Sequence, residues 1–269
     1  MIGSVDSCPS LPDVMVLRRL ADNVITASAQ GRDVYDVGPF RIFIDPRDPL
    51  RYYNYAVPVR HCSDWTEWLN ELCAVFESHG RLPRFEYLTT LWPTLRSALE
   101  SHGFVAEVVA PVMILPRGEL RQTPPCPASL HFITPESPRS DWLDLDRVGR
   151  ESFGLPEDPH PDQANPPPPE EPGSRLRALA RVEGVAAACG VLMCTGDVAE
   201  MAGVATLPTF RRRGIAADLC YRLLKRGFDQ GLDLVWLSAA DDAAVSLYLK
   251  LGFQRAGDQL HISAGQLLP

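Results

Sequence analysis

A chain of 269 residues with 45% apolar content is long enough for one large domain or two ordinary ones and can bury a core. A formal charge of −8 argues against a general binder of nucleic acid or anionic membrane. No apolar run approaches a membrane span, and the first seven residues do not read as a secretory signal. Seven scattered cysteines without a C-x-x-C pair predict reduced, mostly buried thiols in a cytoplasmic protein. Six scattered histidines suggest no metal site.

Apolar residues at Val14, Val16, Leu17, Leu20, Val24 and Ile25 predict an amphipathic helix from Leu11 to about Ala29. Val34-Tyr35 and Phe40 to Ile44 read as strands about a Gly38-Pro39 turn, and Tyr52 to Val59 as another. Asp64 to Ser78 is a helix, with Ser63 as the expected N-cap and Gly80 past its end. Arg84 to Leu88 is a short strand, Leu91 to His102 a helix with Pro93 in its first turn, and Phe104 to Leu115 a long strand. The polar, proline-rich run Pro116 to Pro127 reads as a linker. Leu130 to Thr134 opens a second unit as a strand, followed by a helix over Ser140 to Phe153.

Pro156 to Gly173 has almost no side chain able to pack a core, so an exposed extended loop is expected. Its acids are Glu157, Asp158, Asp162, Glu170 and Glu171. They suit either a lid that attracts a cationic amine or a solubilising insertion. Arg175 to Val182, Val185 to Cys194 and Val198 to Thr206 then form an antiparallel meander, turning at Glu183-Gly184 and Thr195-Gly196.

The third meander strand stops at Leu207-Pro208, because proline lacks a ladder donor. A basic turn, Arg211-Arg212-Arg213-Gly214, leads into Ile215-Ala216-Ala217 and a helix to about Arg226. Free N–H groups in a first helical turn, with the helix dipole behind them, make an anion site. The turn lacks the longer glycine loop and Lys-Ser/Thr of a P-loop and the three glycines of a dinucleotide fingerprint. Leu234 to Ala239 is a further strand. The block Asp241-Asp242-Ala243-Ala244-Val245-Ser246-Leu247-Tyr248-Leu249-Lys250-Leu251-Gly252-Phe253 is a helix closed by Gly252. A last strand is expected near Gln259 to Ser263.

Arg211-x-x-Gly214-x-Ala216 resembles the Q/R-x-x-G-x-G/A segment of the GNAT superfamily of N-acetyltransferases, and Asp241 to Phe253 is similar to that family's N-x-x-A-x-x-L-Y-x-x-x-G-F block. The resemblance runs from about Leu130 to the C-terminus. It implies a mixed α/β fold with a mostly antiparallel sheet flanked by helices. It also implies acetyl-CoA as co-substrate, without a metal, and acetyl transfer to an amine by direct attack in a ternary complex. The pyrophosphate would rest on the turn and helix start, Arg211, Arg212, Arg213, Gly214, Ile215, Ala216 and Ala217. Val204, Ala205 and Thr206 would offer a strand edge, with a bulge freeing an N–H for the thioester carbonyl. Tyr248 corresponds to the general acid toward the leaving sulfur, and Ala244 and Asp241 to cofactor contacts. Asp241 replaces the family's usual Asn, and an ionised carboxylate donates no hydrogen bond. Glu200 is the general-base candidate, at a spacing from Arg211 similar to that of the family's histone acetyltransferases.

Strand 84–88, helix and Gly103-Phe104 echo strand 234–239, helix and Gly252-Phe253, with Leu99 falling where Tyr248 stands. Two tandem GNAT-like units are therefore expected: a degenerate one over 1–118, a linker over 119–127, and a functional one over 128–269. The acceptor is expected to be a small-molecule or protein amine, and the protein a monomer or homodimer. The competing reading is a CoA or acyl-CoA sensor that transfers nothing.

Overall fold

The structure is a computed structural model, and residues 14–156 and 173–265 are described. The acids Glu157, Asp158, Asp162, Glu170 and Glu171 lie outside the described residues. In chain order the elements are α1 (Val14–Ser28), β1 (Asp33–Val37), β2 (Phe40–Ile44), β3 (Tyr55–Pro58), α2 (Thr66–Ser78), β4 (Arg84–Leu88), α3 (Leu95–Ser101) and β5 (Phe104–Pro116). They continue as β6 (Ser129–Ile133), α4 (Arg139–Phe153), β7 (Arg175–Val182), β8 (Val185–Thr195), β9 (Val198–Thr206), α5 (Ile215–Asp229), β10 (Leu234–Ser238), α6 (Asp242–Leu251) and β11 (Gln254–Ala264).

The two halves repeat one pattern: a helix, three antiparallel strands, a helix, a strand, a helix and a closing strand. In the first half this is α1-β1-β2-β3-α2-β4-α3-β5, and in the second α4-β7-β8-β9-α5-β10-α6-β11. The echo in the sequence is thus a repeat in the fold. All eleven strands of the described residues form one sheet, ordered β1-β2-β3-β4-β11-β5-β10-β9-β8-β7-β6. Its centre is an exchange. β11, which closes the second half, runs antiparallel between β4 and β5 of the first, and β5 lies between β11 and β10. Each half therefore holds a strand of the other.

Residues between β5 and β6 are fastened to the second half. Arg121 N donates to Leu251 O at 2.9 Å, and Arg117 N to Asp233 O at 2.7 Å. Gly252, at φ +106, passes so close to Glu119 O that a Cβ would sit 2.1 Å from it. Only glycine permits that approach.

Helices cover both faces. α5 and α6 bury Leu219, Leu223, Tyr248 and Leu251 against Met113, Ala199, Met201, Val235 and Leu237. On the opposite face, Leu17, Leu20 and Val24 of α1 pack on Val198, Trp236 and Val112, and α4 packs Trp142 and Val148 on Leu179, Cys189 and Ala205. α1 lies over β8 and β9 and also reaches β4, so it bridges the two halves.

Several sequence expectations shift. α2 is not capped by Ser63; Asp64 Oδ1 accepts from Thr66 N at 2.9 Å. The expected 91–102 helix begins only at Leu95, after a 3-10 turn over Thr89–Leu91, because Pro93 holds the chain in a turn. The expected 52–59 strand is a 3-10 turn followed by β3. β11 is longer than expected because its central position gives it two partners.

Candidate functional site

The sheet opens where β10 ends. β9 and β10 are parallel and pair only at Leu234↔Val198, Val235↔Ala199 and Trp236↔Glu200. β9 continues to Thr206, while β10 stops at Ser238 and gives way to α6. On its other side β10 pairs with β5 only over Val112–Pro116, and β5 continues back to Phe104. The result is a slot one strand wide, bounded by Met201–Thr206 on one side and the Phe104–Ala110 run of β5 on the other. Both edges carry backbone N–H and C=O groups that no described strand pairs, and such groups need partners.

β9 bulges inside this slot. Cys189 pairs with Ala205 but Val191 with Ala202, so one extra residue is accommodated at Gly203-Val204, with Gly203 at φ +58. The bulge was expected at Val204 to Thr206 and falls at the start of that run.

The basic turn and α5 stand at the far end of β9. Gly214 takes φ +78, no described side chain caps the helix, and the first helical bond is Asp218 N to Gly214 O at 3.1 Å. The N–H groups of Ile215, Ala216 and Ala217 therefore have no partner within the helix. A Cβ placed on Gly214 meets nothing within 4 Å, so space is open in front of those donors. The arginines divide their work. Arg211 donates from Nε to Thr206 O at 3.0 Å and from Nη2 to Ser152 O at 3.2 Å, tying the turn to β9 and α4. Arg213 lies over the Phe210 ring at 5.4 Å. Arg212, at φ +64, is exposed beside it.

On α6, Asp241 Oδ1 accepts from Ala244 N at 2.8 Å, so the residue that replaces the family's Asn is a helix N-cap. Tyr248, about two turns on, is buried beside Phe253 at 5.5 Å between ring centroids. No described residue hydrogen-bonds its hydroxyl. Burial pushes its ionisation upward, with the Cys220 and Asp241 charges adding to this, so the phenol stays a neutral donor.

Glu200 faces the other side of the sheet, with Val198 and Trp236 under α1, at the last paired position before the slot opens. Burial, with the nearby Glu86 charge adding to it, pushes its carboxyl up to about 8 against the opposing charges of Arg32 and Arg175. The structure thus separates Tyr248 and Glu200 on opposite faces of one opening.

The residues that sequence reasoning missed surround Glu200. Asn23, 1% exposed, donates to Met193 O and Val198 O at 3.2 and 3.3 Å and accepts from Trp236 Nε1 at 2.8 Å, pinning α1 over the sheet. Arg32, Tyr55 and Glu86 come from the first half. A buried polar residue on an apolar helix face was the available signal for Asn23. For the others none existed without the fold.

The equivalent place in the first half is closed. Asp64 takes up the start of α2, and Trp92 lies tilted against His61 at 4.4 Å and edge-to-face with Trp65 at 6.0 Å between ring centroids. A carboxylate there repels an anion, where the second half offers bare donors.

Residues 142–253 match the acetyltransferase (GNAT) family, so the second half of the chain carries a GNAT acetyltransferase domain. A GCN5-related N-acetyltransferase from Kribbella flavida superposes with a TM-score of 0.77 at 21% identity, over 94% of this chain and 97% of that one. Another from Sphaerobacter thermophilus gives 0.57 at 17% identity, over 84% and 76%. A tandem GNAT protein from the clavulanic acid biosynthesis pathway gives 0.57 at 11% identity, over 95% and 98%. At these identities the likeness is one of fold. No curated protein matches the chain. Among the described residues, no group of three or more His, Cys, Asp or Glu is placed to hold a metal ion, and no helix is long and apolar enough to cross a membrane.

Proposed function

We propose that the protein is an acetyl-CoA-dependent N-acetyltransferase that acts by direct attack of an amine in a ternary complex. The observation that carries this reading is the one-strand slot at the end of β10, next to the uncapped start of α5. A pantetheine arm is long, thin and bears amides, so it can pair with a free strand edge as another strand would. A pyrophosphate suits the N–H groups of Ile215 to Ala217, with Arg212 and Arg213 beside it. Acetyl-CoA supplies the activated acyl group. The bulge at Gly203-Val204 offers backbone N–H toward negative charge developing on the acyl oxygen. Tyr248, neutral and without a described partner, donates toward the departing sulfur. Glu200 takes the proton of the amine, and a carboxyl titrating near 8 is matched to that task.

The test is acetyl-CoA turnover with a panel of amines, read by mass spectrometry of the products, for the wild type and Tyr248→Phe. Product formation that falls in the variant while acetyl-CoA affinity holds supports the enzyme. Acetyl-CoA binding with no product from any amine supports a sensor instead.

A further inference from the structure

Two groups in the ground around Glu200 lack a described hydrogen-bond partner, its own carboxyl and one nitrogen of Arg32. No described residue donates a hydrogen bond to the Glu200 carboxyl. Arg32, four residues past the end of α1, has its guanidinium over the rings of Tyr55 and Tyr53, at 5.3 and 6.0 Å. Its Nη1 is buried and finds no acceptor among the described residues. A buried charged donor left unmet is costly, and a native fold that keeps one has a reason.

The two groups share one neighbourhood. Arg32, Glu86 and Glu200 all act on the Tyr55 hydroxyl, which is bound to Ser28 Oγ at 2.6 Å at the last residue of α1. Arg175 closes the side, reaching Ala27 O at 3.5 Å. The other carboxylates are already engaged. Glu86 is bound by Arg84 and lies 3.3 Å from His261 Nδ1, and Glu107 is held by Arg84 at 3.2 Å. Glu200 is therefore the acid left for an incoming amine, and Arg32 the cation left for an incoming anion. One comes from each half of the chain.

We propose that the acceptor is a small amine that also carries a carboxylate, an amino acid in the broad sense. It sits under the C-terminal end of α1, with its amine toward Glu200 and its carboxylate on Arg32. This rests on the acetyltransferase reading and deepens it. A simple amine leaves Arg32 unmet, and a lysine side chain within a protein brings no adjoining carboxylate. The proposal also gives the first half, whose own anion site is closed, a role in choosing the acceptor.

The experiment uses the full chain with acetyl-CoA. One pool contains the protein amino acids, β-alanine and γ-aminobutyrate. A second contains decarboxylated counterparts, among them tyramine, histamine and cadaverine. N-acetyl products are identified by mass spectrometry, and acetyl-CoA affinity is measured in parallel by calorimetry. Products are expected from the first pool. Arg32→Met should raise KM for the best acceptor at least about tenfold, as loss of a charged hydrogen bond implies, with acetyl-CoA affinity unchanged. Arg32→Lys should recover part of the loss. Equal turnover of the decarboxylated amines, or an indifferent Arg32→Met, overturns the proposal. Acetyl-CoA binding without any product from the first pool overturns the acceptor assignment alone. Absence of acetyl-CoA binding overturns the transferase reading and this proposal with it.

Discussion

Replacing Glu200 with Gln tests both the chemistry and the electrostatics of the site. The carboxyl lies among Arg32, Arg175, Glu86 and Tyr55, and burial raises it from 4.5 to about 8. A folded-state value above the unfolded one means that the folded protein holds a proton the unfolded chain releases. Stability is then fully present below about 4.5 and declines as pH rises through 8. At about 1.4 kcal/mol per pH unit, the loss is capped at ~5 kcal/mol. Glu200 is only half-buried, and water reduces the figure to ~1–3 kcal/mol. Glutamine has the shape without the titrating proton. Glu200→Gln should therefore match the wild type in urea unfolding at pH 5 and exceed it by that margin at pH 9. Its kcat/KM should fall about 10²- to 10⁴-fold, and the rise of activity toward pH 8 expected of the wild type should be absent. A variant no more stable than wild type at pH 9, together with an unchanged pH–rate profile, would refute the reasoning.

Other expectations follow from the same structure. Tyr248→Phe should lower kcat about 10- to 100-fold with acetyl-CoA affinity intact in calorimetry, because the hydroxyl has no described structural partner. Asn23→Ala breaks three hydrogen bonds and leaves Trp236 Nε1 unmet, so urea unfolding should show a loss of ~2–4 kcal/mol. Asp241→Ala should cost ~0.5–2 kcal/mol through the lost cap, while Asp241→Asn keeps most of it, both read by thermal unfolding. Because β5 and β11 are exchanged, separate fragments 1–118 and 119–269 should each fail to fold, and co-expression should give one complex on size exclusion.

Much of the second half was legible in the sequence because its signals are local. The meander turns, Pro208, the Arg211 to Ala217 turn and the Asp241 to Gly252 helix each declare themselves within a few residues. The repeat was visible in Gly103-Phe104 and Gly252-Phe253, since both follow a helix of the same kind. The strand exchange was not visible. Nothing in the residues of β11 distinguishes pairing with β4 from pairing within its own half, and that choice is made by packing at long range. The slot was also hidden, because it depends on where β10 stops relative to two neighbours. Glu200 was singled out by its spacing from Arg211, but most of its surroundings, Arg32, Tyr55 and Glu86 among them, come from the first half, more than a hundred residues upstream. The 119–127 run reads as a linker by composition, yet its backbone is tied to α6 through Leu251 and Gly252.

The central claim is that the slot beside α5 receives acetyl-CoA, and calorimetry tests it most directly. Acetyl-CoA would be titrated into the wild type and into Gly214→Glu, which puts a carboxylate in the open space before the α5 donors and strains a left-handed φ of +78. Micromolar binding is expected of the wild type, one site per chain, and none of a variant whose circular dichroism shows it folded. Wild-type protein that does not bind acetyl-CoA, or a folded variant that binds it equally well, would contradict it.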